Sequence, residues 1–127
     1  MNIYGIGTDI VSIKRIKSSI KKKQFIRRIY NEQEVLKCKK AVNKNNCYAK
    51  RFAAKEAFSK ALGTGISEGI NFNEITILNN KSGKPYIHLK GNTKKKIKKR
   101  FKQKKIKISL SLSDEKDYAV AFVTISI

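Results

Sequence analysis

The stretch RFAAKEAFSKALGTG, residues 51–65, decides the fold. It is rich in alanine and other strong helix formers, and Gly63 and Gly65 stop it. The pattern predicts one long helix from about Cys47 to Leu62. At 100° per residue, Ala54, Phe58, Ala61 and Leu62 share a face that should meet the core. Glu56 and Lys60 fall roughly opposite, flanked by Phe52 and Ala53. The plainest reading is a solvated Glu-to-Lys pair one turn apart, contributing about 0.2–0.5 kcal/mol. Its company argues otherwise, because a solvent face in so basic a chain should be crowded with lysine. Small and apolar neighbours imply that this face also meets something.

Working towards the N-terminus, IYGIGTDI at 3–10 reads as a strand interrupted by Gly5 and Gly7. Glycine inside a strand marks close approach of another backbone or of a ligand. Asp9 is unusual in a strand interior, and its two readings are a cap for the next helix or a carboxylate presented to a metal or phosphate. Ser12 can cap a helix carrying Ile13, Ile16 and Ile20 at helical spacing, through about residue 22. Phe25, Ile26 and Ile29 suggest a second short helix, and NEQEVLKCKK at 31–40 a third, acids first and bases last. NKNN at 43–46 reads as a loop.

Towards the C-terminus, 73–79 and 85–89 alternate as strands around the turn NKSGK. TKKKIKKRFK at 93–102 is a very basic helix, and 105–111 and 118–127 are two more strands joined by SDEKD. The order predicts a single α+β domain, an antiparallel sheet packed with a long helix and shorter ones.

The chain has 127 residues and a net charge of +21, and 25 of its 30 cations are lysine. Such charge favours an acidic partner: nucleic acid, an anionic surface, an acidic protein or an acidic substrate. The Lys, Ile and Asn bias fits an AT-rich genome and lowers the weight of any single lysine, leaving the five arginines more informative. Cys38 and Cys47 have no CxxC spacing and, with the one histidine, His88, make no zinc pattern. They read as ordinary thiols in a reducing compartment, with a disulfide as the alternative. No signal peptide and no apolar run of the roughly 18 residues of a membrane span is visible, so the expected location is the cytoplasm, with no membrane partner.

Two carboxylates on separate elements, Asp9 and Glu56, with Lys60 one turn from the second, suggest Mg²⁺ on a phosphate. His88 reads as a strand residue, and the acidic turn of Asp114, Glu115 and Asp117 stands out in a basic chain. The competing reading is a non-enzymatic nucleic-acid-binding protein of ribosomal type, which charge and size suit. It leaves Asp9 and Glu56 unexplained, and neither basic helix interleaves the aromatics that stack bases.

Taken together, Gly5-Ile6-Gly7-Thr8-Asp9-Ile10, Arg51 through Ala61, the Gly-Lys-Pro of the hairpin and SLSDEKDYAVA near the end closely resemble the holo-acyl-carrier-protein synthases. These are the small single-domain 4′-phosphopantetheinyl transferases, and the resemblance covers essentially the whole chain. It implies transfer of phosphopantetheine from coenzyme A to a serine of an acidic apo acyl carrier protein, releasing adenosine 3′,5′-bisphosphate, for fatty acid biosynthesis. It implies Asp9 and Glu56 as Mg²⁺ ligands and Lys60 as the group that stabilises the phosphate. Coenzyme A would be met by Arg51, Lys60, Ser82, Gly83, Lys84, Pro85 and Asp114. Arg15, Lys22, Phe25 and Arg28 would dock the carrier protein. A homotrimer with sites between subunits is also implied, which would explain why Glu56 and Lys60 turn from the core. Family members carry His or Asp at the position of Asp114, so the base that activates the serine stays open between this position, Asp9 and a metal-bound water.

Overall fold

The computed structural model describes residues 2–63 and 69–127. Strand β1 (Ile3–Ser12) leads into three short helices, α1 (Ile13–Ser19), α2 (Lys23–Ile29) and α3 (Glu32–Lys40). Ser12 caps α1 as expected, accepting from the Arg15 amide at 3.3 Å. α1 ends three residues earlier than its isoleucine spacing suggests. Asn31 and Glu34 form a reciprocal capping box at the start of α3.

The long helix α4 (Lys44–Leu62) starts three residues earlier than expected and takes in most of the NKNN segment. Its end is as expected: Gly63 sits at φ +81°, the left-handed conformation glycine adopts most cheaply. Gly65 lies outside the described residues. A 3-10 turn (Phe72–Glu74) occupies the start of the segment expected to be all strand, and β2 (Ile75–Asn79) and β3 (Pro85–Leu89) then form the predicted hairpin. Helix α5 (Gly91–Arg100) precedes β4 (Lys107–Asp114) and β5 (Tyr118–Ser126). The main sheet is antiparallel in the order β1-β5-β4, and β2-β3 forms a second, separate ladder.

α4 lies across the inner face of β1 and β5, and glycine decides how closely. A Cβ on Gly5 would collide with the carbonyl oxygen of Ala61, and one on Gly7 with that of Ala57. The two glycines are therefore where the helix backbone meets the strand, and this selects between the two readings of the sequence. The buried surface of α4 is accordingly wider than four residues: Ala53 and Ala57 are buried against the sheet side, and Phe52 stacks on Phe25 of α2 at 5.9 Å.

The cysteines correct an expectation. Cys38 in the last turn of α3 and Cys47 in the first turn of α4 form a disulfide, with Cα atoms 5.4 Å apart. The spacing of nine residues gave no hint because the chain reverses between two helices there, which brings the Cα atoms into disulfide range.

Lys55, a charge on the long helix, is fully buried. Its ammonium lies 2.6 Å from Glu34 Oε1, donates to the carbonyls of Ile29 and Phe72, and sits 5.2 Å from the Tyr30 ring centroid. Glu34 also accepts from the amides of Ile77 and Asn31. This network fixes α4 against α2, α3, the 3-10 turn and β2. Burial pulls the Lys55 ammonium down to about 8, against the opposing pull of Glu34.

Among the described residues no helix is long and apolar enough to cross a membrane.

Candidate active site

Strand alternation sends Gly5, Gly7, Asp9 and Val11 inward and Ile6, Thr8 and Ile10 outward. Asp9 therefore follows the two glycines along the line of contact with α4, and its side chain is largely covered. Lys60 reaches back along the helix, donating 2.9 Å to the Thr8 carbonyl and lying 3.2 Å from Asp9 Oδ1. Glu56, one turn earlier on α4, is half-buried and feels Asp9, Lys60 and Arg15. Burial first, and then the negative charge of Asp9, hold the Glu56 carboxyl above its ordinary range, while Lys60 and Arg15 pull it back. The three side chains singled out from sequence form one cluster, with Arg15 of α1 at its edge.

Two partly buried carboxylates, one from a strand and one from a helix, are groups that could hold a divalent cation. Among the described residues no cluster of three His, Cys, Asp or Glu side chains exists that could hold a metal ion. A cation here would take the rest of its shell from water and phosphate oxygens, which is how Mg²⁺ is commonly held.

The other candidate residues form a second group. Arg51 is buried, donates 3.3 Å to the Cys47 carbonyl and lies 3.4 Å from Asn79 Oδ1, and its Nε has no partner among the described residues. Asn79 in turn donates 3.0 Å to the Gly83 carbonyl, so Arg51 is tied to the hairpin turn. That turn is built around Asn80, whose Oδ1 accepts from the amides of Ser82 and Lys84 and from the Ser82 hydroxyl. Gly83 takes φ +88° there. Lys84 and Pro85 line an open groove of about 460 Å³ that continues onto Ser109, Ser111, Phe122 and Thr124. Asp114 accepts 2.7 Å from Asn46 and pairs with Lys50 at 3.6 Å. Lys50 precedes Lys60 by ten residues, about 15 Å along a helix. Within one chain, Asp114 thus belongs with the start of α4, not with the carboxylate pair.

Arg15 on α1, Lys22 at the N-cap of α2 and Arg28 on α2 are exposed, and Arg15 lies near enough to Glu56 to act on its charge. Phe25 is half-buried, and His88 is exposed on β3.

A three-stranded antiparallel sheet backed by one long helix, each carrying one carboxylate of the cluster and Lys60 reaching from helix to strand, defines a small α+β domain. The chain belongs to the 4′-phosphopantetheinyl transferase superfamily, whose family model matches residues 5–123. It is 52% identical over 123 residues to the holo-[acyl-carrier-protein] synthase of Pelagibacter ubique, covering 97% of this chain and 96% of that one. The crystal structure of the Neisseria meningitidis holo-[acyl-carrier-protein] synthase is 44% identical, with a TM-score of 0.86 over 98% of this chain and 99% of that one. The Helicobacter pylori synthase, solved in complex with coenzyme A, is 36% identical with a TM-score of 0.80, covering 95% and 99%.

Proposed function

We propose that this chain is one catalytic domain that transfers 4′-phosphopantetheine from coenzyme A to a serine hydroxyl of an acidic acyl carrier protein, for fatty acid synthesis in the cytoplasm. The observation that carries this reading is the cluster of Asp9, Glu56 and Lys60, drawn from a strand and a helix held in backbone contact. Asp9 and Glu56 would hold Mg²⁺. When bound, the ion supplies positive charge to the pyrophosphate oxygens and to the departing bisphosphate.

The chain's own residues do the rest. Lys60 is half-exposed beside Asp9, and its ammonium would meet the oxygens of the phosphoryl group being transferred. The serine oxygen forms a bond to the phosphorus that carries pantetheine. The bond to the bridging oxygen breaks, and adenosine 3′,5′-bisphosphate leaves with that electron pair. The hydroxyl proton would pass to a base, for which the candidates are Asp9, Asp114 and a water at the site. Arg51 and Lys60, with Ser82, Gly83, Lys84, Pro85 and Asp114, would line the coenzyme A site.

Those residues fall in two groups on one chain, and this favours self-association. The outward sheet face offers a candidate seam: Ile6 and Ile10 are 62% and 64% exposed, and Val120 and Phe122 stand beside them. Exposed aliphatic and aromatic side chains in one patch fit a protein contact. A homotrimer closed through this face would carry the hairpin turn and Asp114 of one copy towards the carboxylates of the next.

Arg15, Lys22, Phe25 and Arg28 would receive the carrier protein, their charge governing encounter more than chemistry. The nucleic-acid reading finds no support in the fold or the relatives. The test is release of adenosine 3′,5′-bisphosphate from coenzyme A and Mg²⁺, followed chromatographically. Release should require an apo acyl carrier protein with its serine intact; no release with a folded, coenzyme-A-binding sample would reject the proposal.

A further inference from the structure

A second cavity, of about 480 Å³, opens between β3, α5 and the segment entering β4. It takes none of the residues assigned to the transferase site. Its volume falls within the roughly 300–1,000 Å³ typical of small-molecule pockets. Ile97 and Phe101 form a buried floor, and Ile87, Leu89, Ile106 and Ile108 are half-buried around it. The four half-buried side chains present apolar surface that the fold leaves partly uncovered.

The rim is of one sign. Lys94 and Lys98 stand one turn apart on α5, and both line the cavity. The chain then reverses through Lys102 and Gln103, at φ 52° and 64°, with the Gln103 amide bonded to the Lys98 carbonyl at 2.9 Å. That reversal brings Lys104 and Lys105 to the same opening. Among the described residues no acidic side chain lines the cavity, and all four lysines are exposed. Phe101 is buried, so it offers no face on which a base could stack.

An apolar slot with a cationic mouth selects a ligand that is apolar at one end and anionic at the other. We propose that the cavity between β3 and α5 binds a single-chain anionic amphiphile, a fatty carboxylate entering as a monomer. Its hydrocarbon chain lies along Ile87, Leu89, Ile106 and Ile108, above the floor made by Ile97 and Phe101, and its head group lies among Lys94, Lys98, Lys104 and Lys105. This site stands independently of the transferase reading.

The test is titration of the full chain with dodecanoate below its micellar concentration, followed by NMR. His88 lines the cavity and is the only histidine, so its ring is an unambiguous reporter beside the methyls of Ile97 and Ile106. Saturable shifts confined to these groups are expected. The Lys98→Glu, Lys104→Glu double variant, altered only at exposed positions, should bind about tenfold more weakly, as expected for losing a charge-assisted contact. Dodecanol should show a similar loss, and acetate should not saturate the site. Shifts spread over surface lysines, equal affinity for dodecanol, an unchanged double variant, or binding only to phosphatidylglycerol vesicles would each overturn the proposal.

Discussion

Lys60 Nζ lies 3.2 Å from Asp9 Oδ1 and 2.9 Å from the carbonyl oxygen of Thr8, so an α4 side chain is anchored on the strand that carries the facing carboxylate. The Lys60 side chain is 56% exposed, and its ammonium is free to exchange this contact for a phosphate. Lys60→Met should lower kcat by about 10²–10³, the usual effect of removing one electrostatic stabiliser of a transition state. Thermal stabilisation by Mg²⁺ should survive or grow, because a competitor for Asp9 has gone. Loss of the Mg²⁺ response in a folded variant would instead make Lys60 a structural support for the metal site.

The contact of β1 with α4 leaves no room for a side chain at Gly7. Gly7→Ala should destabilise the fold by about 1–3 kcal/mol, the range for overpacking. It should also depress activity, since strand and helix each carry one carboxylate. Urea unfolding and turnover of the same preparation check this, and an unchanged unfolding midpoint would refute the close approach.

Lys55 and Glu34 form a buried ion pair, the ammonium also donating to two backbone carbonyls and the carboxylate accepting from the Ile77 amide. Removing one partner leaves a charge without compensation, so Lys55→Met should cost about 3–5 kcal/mol. The combined Lys55→Met, Glu34→Leu variant should recover part of that loss. Strict additivity in a double-mutant cycle by chemical denaturation would contradict the coupling.

Glu74 caps α5, accepting from the amides of Asn92 and Thr93, the Thr93 hydroxyl and the Asn71 amide group. Burial pushes its carboxyl up, but these hydrogen bonds together outweigh burial and hold it below the ordinary value. A depressed folded pKa means stability that is present above the unfolded value, about 4.3, and lost as pH falls through the folded one. The gap in stability between the parent and Glu74→Gln should therefore be widest near neutrality and close below about pH 4. A gap that widened on acidification would contradict this.

Much of the architecture was legible because local signals agreed with the packing. Ser12, Gly63 and the NKSGK turn mark element boundaries by backbone chemistry alone, and they sit at boundaries in the fold. The cluster of Asp9, Glu56 and Lys60 could be anticipated because helix periodicity puts the last two together. What was not legible depends on which elements meet. Gly5 and Gly7 signal close approach without naming the neighbour, and Cys38 and Cys47 pair only because a reversal brings two helix ends together. Lys55 carried a faint signal, since at 100° per residue it falls beside Phe58 and Leu62 on an apolar face, where a charge requires a partner. Its partner Glu34 lies 21 residues away, beyond the reach of any local pattern.

The most direct test of the central claim is the intact mass of an apo acyl carrier protein incubated with coenzyme A, Mg²⁺ and either the parent chain or Glu56→Gln. The parent should add one phosphopantetheine to the carrier, EDTA should abolish the gain, and Glu56→Gln should fold normally yet add nothing at the same exposure. A gain that persists in EDTA, or near-normal transfer by Glu56→Gln, would contradict a metal-assisted transfer centred on the carboxylate pair of β1 and α4.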